Sequence, residues 1–589
     1  MRLRTIGLGT ALVLSMAAPA ASKNEEPSFT FKPMKADVGA GMVLADFDGK
    51  TVALVADEDD QTVRIFETKP PREVAQAKVP GTPSQIVVTK AGKVLVALRD
   101  KGQIAILEPK GGDVRTLVMK SSIDTGGEPV ALGLTSDEAT LVVASGWTHE
   151  VSAYAMSDRS LKFKTSVGRE PRGLAIAPDG SKAWVNHAVG GLLTTIDLSD
   201  GKATSTTLNL PVANRSGRIA TQGFVVAMSD KKVFAPTVLA DPEAPETYYG
   251  SSLETFSVVT ADALSGAVDA SSKQIQPAAY NQLERCILPR AAAVTTDGKK
   301  LVVGCAGDNE IVVMDATAAA PRTQVLRKRD AGDSPSALAI DDATDTVVTW
   351  SQMGRQLSVV GIAEKATKLE TTIASGGTLS AAAGRGRRLF NAVDGKTAAD
   401  GRACASCHTD GRDDGLTWHT PDGNRQTPML AGRLSDTAPY GWTRDAKTFH
   451  EYVTGTVARL RGKGYSKPEL DDLSAYVMTL KPPARAAGDE ATVNHGKEVF
   501  ASSGCTSCHS GANSTDGQKH TITANGAANP GGMFATPSLR FVGGTAPYFH
   551  DGRYPSLRAL LVSQDPVMGK ARDLPAGDID ALESFLKTL

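Results

Sequence analysis

Two five-residue runs hold the residue types that could do chemistry. Cys404-Ala405-Ser406-Cys407-His408 and Cys505-Thr506-Ser507-Cys508-His509 each place two thiols three positions apart, with an imidazole beside the second. Thiols at this spacing can add to the two vinyl groups of one haem, and the adjacent histidine can turn onto the iron as its proximal ligand. A redox dithiol needs no histidine after it, and a four-cysteine zinc site does not explain a histidine after both pairs. The expected cofactors are therefore two covalently attached haem c groups, with His408 and His509 as iron ligands.

The surroundings of the two runs are themselves duplicated. Gly386-Arg387-Arg388-Leu389-Phe390 matches Gly496-Lys497-Glu498-Val499-Phe500, Thr427-Pro428-Met429-Leu430 matches Thr536-Pro537-Ser538-Leu539, and Thr437-Ala438-Pro439-Tyr440 matches Thr545-Ala546-Pro547-Tyr548. Leu470–Leu480 pairs with Ile579–Leu589, so helices are expected at both ends of each unit. Two all-α domains are expected, at 381–483 and 484–589, preceded by a linker at 366–380.

Over about residues 380–589 this tandem resembles the di-haem cytochrome c peroxidase and MauG-like family. The matching pieces are Cys505–His509, Thr536–Leu539 and Pro547-Tyr548-Phe549-His550-Asp551-Gly552. The resemblance implies two cytochrome c-like domains. From cytochromes c in general it implies that Pro428 and Pro537 offer carbonyls to Nδ1–H of His408 and His509, which fixes ring orientation and basicity. Leu430 and Leu539 should then pack on the haem faces. Met568 is the expected axial ligand opposite His509, although the peroxidase-like family takes its ligand nearer Gln564. The matching positions in the first unit are Leu460 and Thr456, and neither side chain ligates haem iron. Met429, His419 and His450 are the other candidates there, beside an open or water-bound iron. The family's distal Gln and Glu have no counterpart in the first unit, where Trp442-Thr443-Arg444 stands at the position of His550-Asp551-Gly552.

The first two thirds must position this module. From about residue 38 to 365 the chain repeats strand, tight turn, strand, polar turn, strand, with turns at Asp48-Gly49, Ala91-Gly92, Ser136-Asp137, Asp179-Gly180, Ser229-Asp230, Asp297-Gly298 and Asp341-Asp342. Pro83, Pro129 and Pro171 recur upstream of the turns, as do Pro289 and Pro335. A period of about 45 residues with three or four short strands fits a propeller blade, since one such sheet cannot bury both faces alone whereas a ring can. The predicted architecture is an all-β seven-bladed propeller at 35–365 followed by the two all-α domains, with an inserted loop at Leu239–Ser252. The pattern resembles YVTN-type and lactonase-like propellers. Cys286 and Cys305 flank the sixth turn, either as a disulfide or as two separate buried thiols. His149 and His187 follow corresponding strands of adjacent blades.

Of 589 residues, 64 are Lys or Arg and 65 are Asp or Glu, leaving a net charge of −1. Such balance supplies no one-sided basic field for nucleic acid or an anionic membrane. Arg2 and Arg4 precede an apolar run from Ile6 to about Ala18 and then small residues, which reads as a secretory signal over 1–22. The run is short for a membrane anchor, so no stable span is expected after cleavage, and the product is expected in the periplasm or otherwise exported.

These readings lead to an exported electron carrier whose propeller docks a partner or shapes the haem environment. Its partner would be a redox protein or a small electron donor or acceptor. The enzymatic alternative is a MauG-like or peroxidase-type oxidoreductase acting at the first haem. A third reading makes the propeller itself a hydrolase such as a lactonase.

Overall fold

Each of the seven turns joins two neighbouring strands of one antiparallel sheet, and seven consecutive sheets form a seven-bladed β-propeller. The computed structural model describes residues 1, 29–34, 39–212, 215–244, 254–273, 285–365, 369–485, 488–521, 532–563 and 571–589. Apart from Met1, the segment read as a signal lies outside them. So does the part of the inserted loop at 245–252.

Blade 1 runs from Phe31–Pro33 to Pro71–Lys78, and blades 2, 3 and 4 begin at Pro83, Pro129 and Pro171. Blades 6 and 7 begin at Pro289 and Pro335. Blade 5 departs from the pattern, because Arg215–Thr221 and Ala227–Met228 pair with opposite ends of Lys232–Ala240, so its inner strand is split. The inner strands are apolar on both faces because each is sandwiched between neighbouring sheets; Thr140–Ser145 is buried throughout. Outer strands face water on one side, and Leu161–Ser166 alternates between exposed and half-buried positions. The outer strand of blade 7, Leu369–Ile373, falls within the stretch read as a linker. Its sequence, Leu-Glu-Thr-Thr-Ile, is too exposed and too polar to announce a strand.

The ring closes through side chains, since no described strand is shared between the first and seventh sheets. Met42, Leu44, Val55 and Phe66 of blade 1 pack against Val348, Trp350 and Leu357 of blade 7, with the rings of Phe66 and Trp350 6.0 Å apart. Fully burying such a side chain contributes about 1.5–3 kcal/mol. Gln352 spans the seam by accepting from Trp350 Nε1 at 2.7 Å and donating to Asp57 at 2.9 Å. Beside it, the buried Arg64 is held by Asp57, Asp60 and Glu73.

The C-terminal third contains helices α1 (Ala381–Asn391), α2 (Cys404–Cys407), α3 (Phe449–Arg459) and α4 (Lys467–Val477), then α5 (Glu490–Ser502), α6 (Leu557–Leu561) and α7 (Ala576–Lys587). The duplication read from sequence reappears as one repeated crossing. Helices α1 and α4 meet at Gly386, where a Cβ would lie 1.9 Å from the Asp472 carbonyl oxygen; α5 and α7 meet at Gly496, where it would lie 2.0 Å from that of Ala581. Each crossing is flanked by an edge-to-face aromatic pair, Phe390–Tyr476 and Phe500–Phe585, both with centroids 5.4 Å apart. The core of the second unit is built from its own residues, among them Val499, Leu539, Leu557 and Leu582. The first unit instead completes its core with Leu288 and Ala306 of the propeller. Cys286 and Cys305, two positions before Leu288 and one before Ala306, form a disulfide.

Two stability measurements follow. Gly386→Val and Gly496→Val force side chains into backbone carbonyls, so each should destabilise its own helical unit by at least about 1–3 kcal/mol, read by denaturant titration with helix and sheet signals followed separately. Cys286→Ser with Cys305→Ser should cost about 2–4 kcal/mol, seen as a lower unfolding midpoint; an unchanged midpoint would show that the crosslink stabilises nothing.

Candidate functional site

Cys404 and Cys407 occupy the single turn of α2, which puts them on one side, and His408 ends the turn with its backbone N–H donating to Cys404 O at 2.8 Å. The second run is closed in the same way, with His509 N–H donating to Cys505 O at 2.9 Å. All four cysteines are half-buried and none is in a disulfide.

Each histidine is oriented by backbone. Nδ1 of His408 lies 3.1 Å from Arg412 O, with Pro428 O a second carbonyl partner; Nδ1 of His509 lies 3.2 Å from Ser514 O, with Pro537 O in the same role. A carbonyl only accepts, so Nδ1 carries the proton and the lone pair sits on Nε2. Burial lowers the pKa of both rings, that of His408 to about 4, which keeps them neutral. Both runs therefore present two thiols outside any disulfide and one neutral Nε2 donor, a set that could hold a thioether-linked haem.

Leu430 and Leu539 are buried in the cores of the first and second units. Met429 is buried against Trp147 and Phe541, at the meeting point of propeller and both units. His450 contacts Asp471 at 3.3 Å and His419 contacts Asn424 at 3.2 Å. Thr456 lies on α3 and Leu460 caps it. Met568 and Gln564 lie outside the described residues. His187 is held by Arg169 O and Thr194 Oγ1, each at 2.9 Å, and so serves the propeller. Among the described residues, one group of three potential metal donors occurs, Cys508, Asp516 and His520, all within 4.8 Å.

The duplicated positions Trp442 and His550 meet where the two units touch, with ring centroids 6.5 Å apart. His550 is buried, stacks on Phe534 at 3.7 Å, and leaves both ring nitrogens without a hydrogen-bond partner. Burial lowers its pKa to about 4, so the ring is neutral.

Both helical units sit on the propeller face where the inner strands begin. Arg169 reaches Gly544 O and Ala546 O of the second unit and Asp413 of the first. Arg387 of α1 binds Asp59 at 2.9 and 3.0 Å. The densest contact surrounds the loop after His408. Arg412, 4% exposed, pairs with Glu170 at 2.7 and 2.9 Å and with Glu128. Glu128 also binds Arg99 at 2.6 Å, Glu170 also binds Arg172 at 2.7 Å, and both of these arginines reach Asp410 at 3.0 and 3.1 Å. Sequence reasoning missed this network. Its trace is the Glu-Pro pair that opens blades 3 and 4, Glu128-Pro129 and Glu170-Pro171, with both glutamates in left-handed backbone at φ 65° and 49°.

The surrounding arginines lower the carboxyl pKa of Glu170 to about 2 against the penalty of burial, and lower that of Glu128 as well. Their contribution to docking is present above the ordinary value near 4.5 and lost as pH falls below it, for Glu170 as pH approaches about 2. Burial raises the carboxyl pKa of Asp413, which opposes part of this loss. Amide protection factors across 409–413, taken relative to the intrinsic exchange rate at each pH, should therefore fall on acidification through that window; protection factors unchanged down to pH 2 would mean the ion pairs do not hold the face together.

No family model matches the chain, and no curated protein matches it in sequence. Among solved structures the chain is similar to a hydrazine synthase of Kuenenia stuttgartiensis at 14% identity and TM-score 0.43, covering 53% of this chain and 92% of that one. It is similar to a functionally unknown protein from Desulfotomaculum acetoxidans DSM 771 at 12% identity and TM-score 0.39, covering 54% and 95%. A xenon-pressurised hydrazine synthase of Kuenenia stuttgartiensis gives 19% identity and TM-score 0.31, covering 36% and 88%. The seven-bladed ring rests on strand topology rather than on these likenesses.

Proposed function

We propose that the chain is an exported di-haem c-type cytochrome that transfers single electrons, with two cytochrome c-like domains mounted on one face of a β-propeller. The observation that carries this reading is the pairing, found twice, of two half-buried thiols outside any disulfide with a neutral imidazole whose Nδ1 is tied to backbone carbonyls. When bound, haem iron supplies the one-electron chemistry. Cys404 and Cys407 would anchor the first group and Cys505 and Cys508 the second. His408 and His509 would offer Nε2, while Arg412, Pro428, Ser514 and Pro537 hold the rings. Leu430 and Leu539 would supply apolar walls that restrict water. Met568 would hold the second iron together with His509. The periplasm or another oxidising compartment suits the Cys286–Cys305 disulfide.

The test combines haem counting with electron paramagnetic resonance on the ferric protein. Two covalent haems per chain are expected, falling to one in Cys404→Ala/Cys407→Ala and in Cys505→Ala/Cys508→Ala; full double loading in either variant defeats the motif reading. Two low-spin signals are the expected result for an electron carrier. A high-spin signal that disappears with Cys404 and Cys407 would instead favour peroxide or oxygen chemistry at the first haem. Met568→Ala should change the spectrum and potential of the second haem alone.

A further inference from the structure

The two histidine loops differ in what lies behind them. In the second unit the residue whose carbonyl orients the ring is Ser514, whose left-handed turn (φ 48°) is closed by an N–H bond to Gly511 O at 3.1 Å, within the unit itself. In the first unit it is Arg412, whose side chain leaves the unit and enters the propeller. The turn between them, Thr409–Gly411, is gripped as well: Asp410 stands in left-handed backbone at φ 51° and receives Arg99 from blade 2 and Arg172 from blade 4. The carboxylates that hold Arg412 come from the residues opening blades 3 and 4. Three blades thus converge on the five residues from His408 to Arg412.

We infer that Glu128 and Glu170 of the propeller are positioning residues for the proximal histidine of the first haem, and that the propeller thereby sets the reduction potential of that haem but not of the second. The inference rests on the proposed di-haem function. Its physical basis is twofold. The carbonyl that accepts from His408 Nδ1–H belongs to the residue whose guanidinium these carboxylates fix, and a firmer bond there makes the imidazole a better donor to ferric iron. With Asp410 they also balance Arg99, Arg172 and Arg412, so neutralising one makes the charge behind the proximal loop more positive. Weaker donation and added positive charge act in the same direction, towards the reduced state. Breaking one member of a buried charge network also leaves its partner uncompensated, so variants that keep side-chain shape are the informative ones.

The experiment is a spectroelectrochemical titration of the full-length, haem-loaded protein and its Glu128→Gln and Glu170→Gln variants. The first haem is assigned by its absence from Cys404→Ala/Cys407→Ala. In each glutamine variant the first haem should shift to higher potential by at least threefold in its oxidised-to-reduced ratio at a fixed electrode potential, while the second keeps its parental value. If a glutamine variant fails to fold, Glu170→Asp, which keeps the charge and shortens the reach, should give a smaller shift of the same sign. A first-haem potential equal to the parent's in a doubly loaded, folded variant overturns the inference, as does an equal shift of both haems. A parent chain carrying no haem at Cys404 and Cys407 would instead sink the functional reading, so the two failures remain distinct.

Discussion

A guanidinium withdrawn from water must be surrounded by carboxylates, and Arg412 is the side chain through which that requirement organises this molecule. It leaves a helical unit, enters the propeller face, and is matched there by Glu128 and Glu170, which are matched in turn by Arg99 and Arg172. Desolvating so many charges is costly and is offset only when every one finds a partner, so the network tolerates one docking geometry. That geometry brings the end of the dithiol–histidine turn to the mouth of the ring. The same face accepts the second unit through Arg169, which joins backbone of one unit to a carboxylate of the other.

A second constraint comes from the sheets. Seven small sheets with apolar faces have no stable existence apart, and their closure depends on one seam between blades 1 and 7. There the packing of Phe66 on Trp350 is supplemented by Gln352 and by carboxylates around Arg64 and Arg355. Arg387 of α1 binds Asp59 and Gln352 O beside this seam, so the first helical unit also bridges the point where the ring closes. Docking and ring closure are therefore physically connected, although they involve different charges.

Much of this was legible in the sequence because periodicity is a local property. The seven turns and the strands following them, such as Thr140–Ser145, Lys182–His187 and Lys300–Cys305, stand where alternating turn chemistry and apolar runs put them. Leu369–Ile373 was missed because an exposed outer strand needs no apolar signature, and the split inner strand of blade 5 because its break falls where the repeat is stretched. The dithiol–histidine runs and their duplicated surroundings were readable, down to the two glycines at the helix crossings. The charge network was not, since it joins residues almost 300 positions apart, and no local pattern marks Glu128 as a partner of Arg412.

The unequal cores of the two helical units bear on how such a protein can be rearranged. The second unit closes its interior with its own side chains and rests on the propeller mainly through polar contacts and the Trp147–Phe541 pair. It has the character of a cassette that could be exchanged, lost or replaced by another small domain. The first unit shares its interior with Leu288 and Ala306, next to the Cys286–Cys305 crosslink, and excising it would lay bare apolar surface on the ring itself. Inheritance of the two copies should accordingly be uneven: the first travels with the propeller as one body, while the second is free to diverge.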